Sequence, residues 1–390
     1  MNGTVKKILF TTINSLGAAF WQYQEKKIET ESIRKILIVC LHGLGDVFYI
    51  SSVLPLIHER FPSAMIDVWV HSRSAEVLMN NPYIHEQYIY DEIVTRRDIE
   101  RLHIDYKNRR MFINKMRENL YDIAIDLSWV WGATLMLKAI KPRILVGGSQ
   151  HGLDFMYDIH YPYYKLVHLP LCDIYYDILR QTNLINLSNE QSEPHYYMSN
   201  DAQNNAKDIF VRNNIKNNNP IISIHLTAGW KEKEWDLRNY LTLIERLYSN
   251  YNILIIGKGE RDMDKYRKIH QSLPNVINGI DNTLDTTVGM LSLCLCHIGG
   301  DSFPMHLASS LNIPVICIAG PTNPLLFSPP IKNNVIILYH QLFCSSPENE
   351  RYCTRNAGRS CATLDCMTMI SVDNVYDAIM NIQKSQIVLQ

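Results

Sequence analysis

What most constrains this chain is an alternation of short β-branched runs with helix-period patterns, carried through in two blocks. Residues 36–41 form an apolar run that ends in Gly43-Leu44-Gly45-Asp46, and Val53, Leu54, Ile57 and Phe61 follow at helical spacing. Residues 65–70, 121–127 and 143–146 read as further strands, with helical patterns at 74–80 and 129–140. The pattern restarts with strands at 221–226, 252–256, 295–298, 315–318 and 335–338, separated by helices at 237–248, 262–271, 284–293 and 305–311. Parallel neighbours need a crossover, so this alternation implies a parallel sheet in each block. The expected fold is α/β, with two doubly wound Rossmann-like domains facing a central cleft. Between the blocks, 186–205 is rich in Asn, Ser, Glu and Gln and reads as a linker. The charged stretch 96–118 reads as a solvated helical excursion without chemistry.

At 390 residues the chain has room for about two domains of ~150 residues. Its 46% hydrophobic and 20% charged residues suit a globular core and exclude wholesale disorder. With 38 Lys and Arg against 39 Asp and Glu, and no dense basic tract, nucleic acid is excluded as a main partner. Nine cysteines is an odd count, and Cys40, Cys172, Cys294, Cys296 and Cys317 lie in or beside apolar runs, which fits a reducing, cytoplasmic compartment. No apolar run reaches the ~18 residues of a membrane span. Leu9, Ile13, Leu16 and Phe20 recur at helical spacing beside Trp21, so 1–32 is expected to be an amphipathic extension. It either lies on a membrane surface as a peripheral contact or packs on the protein's own body. The remaining expected divisions are domains over 33–190 and 200–370, the second with a Cys-rich segment at 344–366, and a terminal helix over 371–390.

Ligands of doubly wound sheets sit beyond the carboxyl ends of the strands, which directs attention to five loops: 42–46, 227–234, 257–260, 299–303 and 319–324. Gly43 and Gly45 are expected to take backbone angles closed to other residues, turning the strand sharply and leaving Asp46 at the helix start. There Asp46 is either an ordinary cap or a functional carboxylate. Thr227, Lys231 and Lys233 follow a strand end, where an ammonium can face phosphate or simply be solvated. Glu260, in Gly257-Lys258-Gly259-Glu260, is placed to accept ribose hydroxyls. Gly299-Gly300-Asp301-Ser302 precedes a helix containing His306, a ready anion site. Thr322, in Gly320-Pro321-Thr322-Asn323-Pro324, either reaches a phosphate or sits in a plain turn. Asp262-Met263-Asp264 falls within a helical pattern and is not a metal site, since residues two apart point in different directions. Cys344, Cys353, Cys361 and Cys366 are separated by eight, seven and four residues and lack paired C-x-x-C knuckles, which leaves a metal site and free buried thiols both open.

The stretches ILIVCLHGLGDVFYISSVLPLIHERFPSAMIDVWV, IHLTAGWKEKEW and GGDSFPMHLASSLNIPVICIAGPTNP resemble glycosyltransferase family 9, the heptosyltransferases, over about residues 33–385. The resemblance implies a GT-B architecture, with acceptor on the N-terminal domain and nucleotide sugar on the C-terminal one. It also implies inversion at the anomeric carbon without a metal ion, and no cofactor for catalysis. Asp46 then falls on the family's general base, with His42 as rival, and Lys233, just before Trp235, faces a phosphate. Asp301 would bind sugar hydroxyls and Ser302 a phosphate oxygen, while His306 would contact the ligand or fix the loop. Phe303 stands where the family usually has Gly, which puts close backbone approach to phosphate in doubt. The implied reaction moves a sugar, heptose from ADP-heptose above all, onto a lipopolysaccharide-type glycan or a protein hydroxyl. Its setting is the cytoplasm, at the inner face of the inner membrane. The competitors are a sugar-nucleotide epimerase of the same fold and a non-catalytic scaffold that has kept it. Some protein heptosyltransferases hold iron with four cysteines, so the resemblance also points to structural iron or zinc at the cysteine group.

Overall fold

The computed structural model describes residues 12–17, 26, 28–91, 105–148, 152–161, 169–186, 193–213, 215, 219–327, 334–349 and 352–388. The chain divides into two compact units, Met1–Tyr197 and Met198–Gln390. The N-terminal unit holds β1 (Lys35–Cys40), α1 (Leu44–Ile50), α2 (Leu54–Arg60), β2 (Met65–Val70), β3 (Glu86–Ile89), α3 (Tyr106–Glu118), β4 (Ile123–Asp126), α4 (Trp131–Ile140), β5 (Ile144–Gly147), β6 (Ile159–His160) and α5 (Leu171–Gln181). The C-terminal unit holds α6 (Ala202–Arg212), β7 (Ile221–His225), α7 (Leu237–Leu247), β8 (Asn252–Gly257), α8 (Glu260–Ser272), β9 (Ile277–Ile280), α9 (Leu284–Leu291), β10 (Cys296–Gly300), α10 (Phe303–Ser310), β11 (Val315–Ile318), α11 (Pro324–Phe327), β12 (Val335–Leu338), α12 (Asp365–Thr368) and α13 (Val372–Val388).

Each unit is one parallel six-stranded sheet, in the orders β3-β2-β1-β4-β5-β6 and β12-β11-β10-β7-β8-β9. Counted from its own first strand, each follows the same doubly wound path. The direction of winding reverses between β1 and β4 in the first sheet and between β7 and β10 in the second, the switch points where such folds bind ligands. Helices cover both faces, so Ile36, Leu37, Ile38 and Val39 are all fully buried and β1 reads as a continuous apolar run rather than an alternating one. In the second core Ile222 and Ile224 pack with Tyr240, Leu243, Ile244 and Leu247 of α7 and with Val375 and Ile379 of α13.

Three strands go unread in the sequence, β3, β6 and β9, and all three are short edge strands, two of them polar in part. An edge strand has one neighbour and carries a weaker apolar signature. Residues 72–78 form a 3-10 helix in place of the expected α-helix. The expected linker over 186–205 ends early. Ala202 opens α6, and a Cβ on Gly289 of α9 would lie 2.2 Å from the Ala202 carbonyl oxygen.

Of the expected N-terminal amphipathic helix only 12–17 are described. They are helical, and Asn14 donates to the Asp154 carboxylate at 3.1 Å and accepts from the Phe155 N–H at 3.1 Å, so this turn packs on the protein's own body. Leu9, Phe20 and Trp21 lie outside the described residues. So do 96–104 of the charged excursion, whose remainder is α3. Among the described residues no helix is long and apolar enough to cross a membrane.

Candidate active site

At the N-terminal switch point β1 leads through Leu41 and His42 into α1. Gly43 is the N-cap at φ −72°, and neither it nor Gly45 has positive φ, so the expected backbone role of these glycines is corrected. They leave space instead: a Cβ on Gly45 would meet nothing within 4 Å, and one on Gly43 only the Asp46 Oδ2 at 3.5 Å. Asp46 is the third helical residue and caps nothing, and among the described residues its half-buried carboxylate makes no hydrogen bond or ion pair. The helix dipole favours an anion at this end. Burial first, and the Asp46 charge second, push the Cys40 thiol up to about 12.

Beside it His42 tilts against Trp129 at 5.1 Å, and its Nε2 has no hydrogen-bond partner among the described residues. Trp129 in turn stacks on Tyr175 at 6.0 Å. Asp126, at the end of β4, is fully buried and engaged. Its carboxylate accepts from the Ser128 hydroxyl at 2.5 Å, the Tyr157 hydroxyl at 2.7 Å and the Thr134 hydroxyl at 3.3 Å. Burial raises its pKa despite these donors. Two carboxylates therefore serve one switch point, Asp126 as a clamp and Asp46 unengaged.

At the C-terminal switch point the polar groups converge. Lys233 Nζ donates to Asp301 Oδ2 at 2.5 Å, and the Thr322 hydroxyl donates to the same oxygen at 2.7 Å, with all three residues buried. The ends of β7, β10 and β11 are thus tied through one carboxylate. Thr322, read as either a phosphate contact or part of a plain turn, donates its hydroxyl hydrogen bond to Asp301. Ser302 pairs with His225 Nδ1 at 3.0 Å rather than capping α10, which leaves the first turn of that helix uncapped by its N-cap side chain. Phe303 and Pro304 open the helix. His306 is buried, and burial lowers its pKa to about 4 against the pull of Asp301, so it is neutral at pH 7.

His225, Asp262 and Glu234 go unread in the sequence as members of this site. The Thr227 hydroxyl donates to Asp262 Oδ1 at 2.8 Å, His225 Nε2 lies 3.7 Å from the same oxygen, and the Lys258 N–H reaches Asp262 Oδ2 at 3.0 Å. Burial disfavours the Asp262 carboxylate, yet these partners outweigh it and hold its pKa below the usual value. Glu234 is half-buried, held by Arg261 at 2.6 Å and Lys265 at 2.8 Å. Glu260, the expected ribose ligand, stands apart, paired with Arg267 at 2.6 Å on the exposed side of α8. Lys231 is exposed.

The eight described cysteines are free thiols. Burial pushes Cys40 and Cys294 up to about 12, as the apolar placement of these residues implies, while the Cys172 side chain lies outside the described residues. Cys344, Cys353, Cys361 and Cys366 line one small cavity with Pro321 and Leu364. Burial, then the charges of Cys353, Cys361 and Cys344, raise the Cys366 thiol to about 11. The Leu364 N–H donates to Cys361 Sγ at 3.4 Å, and that bond lowers the Cys361 thiol. Among the described residues no three His, Cys, Asp or Glu side chains are already grouped as a metal cage.

Comparison with known structures places the architecture. A glycosyl transferase family 9 structure from Veillonella parvula matches with a TM-score of 0.76 and 18% identity, covering 92% of this chain and 99% of the other. Escherichia coli ADP-heptose lps heptosyltransferase II matches at 0.70 and 18%, covering 90% and 99%. The iron-containing dodecameric glycosyltransferase TibC from enterotoxigenic E. coli H10407 matches at 0.50 and 12%, covering 91% and 77%. The fold is the α/β GT-B fold of nucleotide-sugar glycosyltransferases. In sequence, lipopolysaccharide heptosyltransferase 3 of E. coli K12 is 22% identical over 313 residues, 74% of this chain and 83% of that protein. Residues 109–357 match the model of glycosyltransferase family 9 (heptosyltransferase). The chain belongs to this family and is a sugar-transferring enzyme.

Proposed function

We propose that the protein transfers heptose from ADP-heptose, with inversion and without a catalytic metal, onto a hydroxyl of a lipopolysaccharide-type glycan or a protein. Two observations, one in each unit, carry this reading: a carboxylate without partners at the N-terminal switch point, and the Lys233–Asp301–Thr322 cluster at the C-terminal one. Asp46 takes the proton of the acceptor hydroxyl as that oxygen attacks the anomeric carbon. Lys233 takes up the charge of the departing diphosphate, with the positive end of the α10 dipole beside it. The space left at Gly43 and Gly45 admits the acceptor, and Asp301 and Ser302 orient the donor. A lipid-linked acceptor would place the enzyme in the cytoplasm, at the inner face of the inner membrane.

The test is thermal-shift screening against ADP, UDP, GDP and CMP sugars. A ligand at ~100 times its dissociation constant stabilises by about 2.7 kcal/mol. ADP-linked sugars are expected to give the largest shift, and a response confined to UDP sugars sinks the donor assignment. Release of ADP only with acceptor present, undiminished by EDTA, supports metal-free transfer, and release without acceptor favours epimerase-type chemistry.

The four cysteines suit a structural metal as well. Four thiols around one cavity are a donor set for zinc or iron at tetrahedral thiolate sites, and a backbone N–H on a cysteine sulfur stabilises the thiolate. Bound there, the metal would cross-link residues 344–366 and take no part in transfer. Metal analysis of the purified protein decides, with less than one iron or zinc per two chains counting against the site.

A further inference from the structure

The cysteine-rich segment does more than follow the last strand, because its middle folds back onto the loops that carry the donor cluster. Trp230, in the loop after β7, donates its indole N–H to the Ala357 carbonyl at 3.1 Å. The Lys233 ammonium lies 4.6 Å from the Trp230 ring centre, and the Arg359 guanidinium lies 4.4 Å from the same ring. A Cβ on Gly358 would sit 3.0 Å from the Glu232 Cβ and 3.1 Å from Pro321, so the turn is pressed against the loops after β7 and β11 together.

The turn is also conformationally unusual. Asn356 and Ala357 both stand at φ 53° and Gly358 at φ 85°, three consecutive residues in the left-handed region. Such conformations persist only where the surroundings over-determine them, and they concentrate at functional sites. Here the surroundings are Cys353 and Cys361 on either side, both lining the thiol cavity, together with Trp230 and Pro321 beneath.

Charge bookkeeping at the donor site then leaves Arg359 without a counter-charge among the described residues. Lys233 is matched by Asp301. Arg261 is engaged by Glu234 and the Ala228 carbonyl, and Lys265 by Glu234 and the Leu226 carbonyl. Among the described residues the Arg359 guanidinium makes no hydrogen bond or ion pair, and it is exposed. Stacked on an indole, a guanidinium keeps its N–H edge available for a bidentate grip on phosphate oxygens, which a lysine cannot reproduce.

We propose that Arg359 is a second cation of the donor site, held on Trp230 by the left-handed turn between Cys353 and Cys361, and that its guanidinium grips the diphosphate of the nucleotide sugar beside Lys233. This rests on the nucleotide-sugar reading above and adds to it a residue outside the stretch matched by the family model.

Calorimetric titration of the full chain tests it, using ADP and AMP as probes, or the matching pair for whichever of ADP, UDP and GDP gives the largest thermal shift. Arg359→Ala is expected to weaken diphosphate binding about tenfold or more and monophosphate binding by about twofold at most, with Arg359→Lys in between. Equal binding of the diphosphate by wild type and Arg359→Ala overturns the assignment and leaves the donor reading intact. Equal losses for diphosphate and monophosphate also overturn it, since they mark a structural role. Wild-type protein that binds none of the three diphosphates overturns both.

Discussion

The two switch points share one strand order and differ in almost everything placed on it. In the N-terminal unit the buried carboxylate, Asp126, is fully engaged by Ser128, Tyr157 and Thr134, and the second carboxylate, Asp46, is left alone on a helix start just after two glycines. In the C-terminal unit the polar groups at the strand ends close on one another: Lys233 with Asp301, Glu234 with Arg261 and Lys265, and Asp262 with Thr227. A shared fold fixes where a site lies, and the loops decide its chemistry. A single carboxylate without partners can change protonation state at little structural cost, as a base must. A network of matched charges is preorganised to hold a charged ligand and falls apart if one member is removed.

That contrast is broken first by substitution. Asp46→Asn is expected to lower transfer by about 10²- to 10⁴-fold, the usual worth of a positioned base. Donor affinity should stay unchanged and stability should move by no more than ~0.5 kcal/mol. Lys233→Ala should do the reverse in part. Loss of the cation proposed to face phosphate is expected to cost about 10²- to 10³-fold in kcat/KM, and stability should fall by about 3 to 5 kcal/mol because Asp301 is left buried without its counter-charge. Kinetics with the donor concentration varied, and urea unfolding of each variant, check both. An Asp46→Asn enzyme with full rate, or a Lys233→Ala protein as stable as wild type, removes the distinction.

Acid should separate the units next. Burial lowers the pKa of His306 to about 4 and of His297 to about 3, both in the C-terminal unit. The unfolded chain, with histidine near ~6.5, binds more protons over this interval, so stability is present above about pH 6.5 and is lost as pH falls toward 4 and then 3. Asp262, held low, adds to the loss at the acid end. In the N-terminal unit Asp126 is raised, so between its folded pKa and the unfolded carboxylate value the folded state binds the extra proton, and acid favours folding there. Trp69 and Trp235 are both buried, one in each unit, and single-tryptophan variants should report the C-terminal unit opening at the higher pH. Coincident transitions contradict the assignment.

How much of this was legible follows from what a sequence pattern encodes. Asp301 directly follows β10, and Asp46 and Lys233 come within a few residues of β1 and β7, in stretches marked by glycines or by a tryptophan, so their positions could be read. Asp262 could not be. It was placed correctly within a helix and set aside as a metal ligand, yet it lies in the first turn of α8 and folds back over Gly257, where a Cβ would come within 2.4 Å of its Cγ. Periodicity gives the face of a helix but not the return of a first-turn side chain onto the preceding strand. The same limit hid Glu234, one residue from an expected ligand.

The smallest effects test the glycines, which read alike in the sequence and differ in structure. Gly320, after β11, is packed: a Cβ there would lie 2.1 Å from the Met367 Sδ and 3.7 Å from Cys366 Sγ. Gly320→Ala should therefore destabilise by about 1 to 3 kcal/mol, the usual result of overpacking, because the methionine must move within a filled core. Gly45 is open, with ordinary negative φ and nothing within 4 Å of an added Cβ. Alanine there removes freedom from the unfolded chain and should stabilise by about 0.4 to 1 kcal/mol. If the space is kept for an acceptor, that gain comes with a raised acceptor KM and an unchanged donor KM. A Gly45→Ala enzyme that is both more stable and kinetically unaltered would mean that the opening beside Asp46 serves no ligand, and the N-terminal switch point would lose its claim to the acceptor.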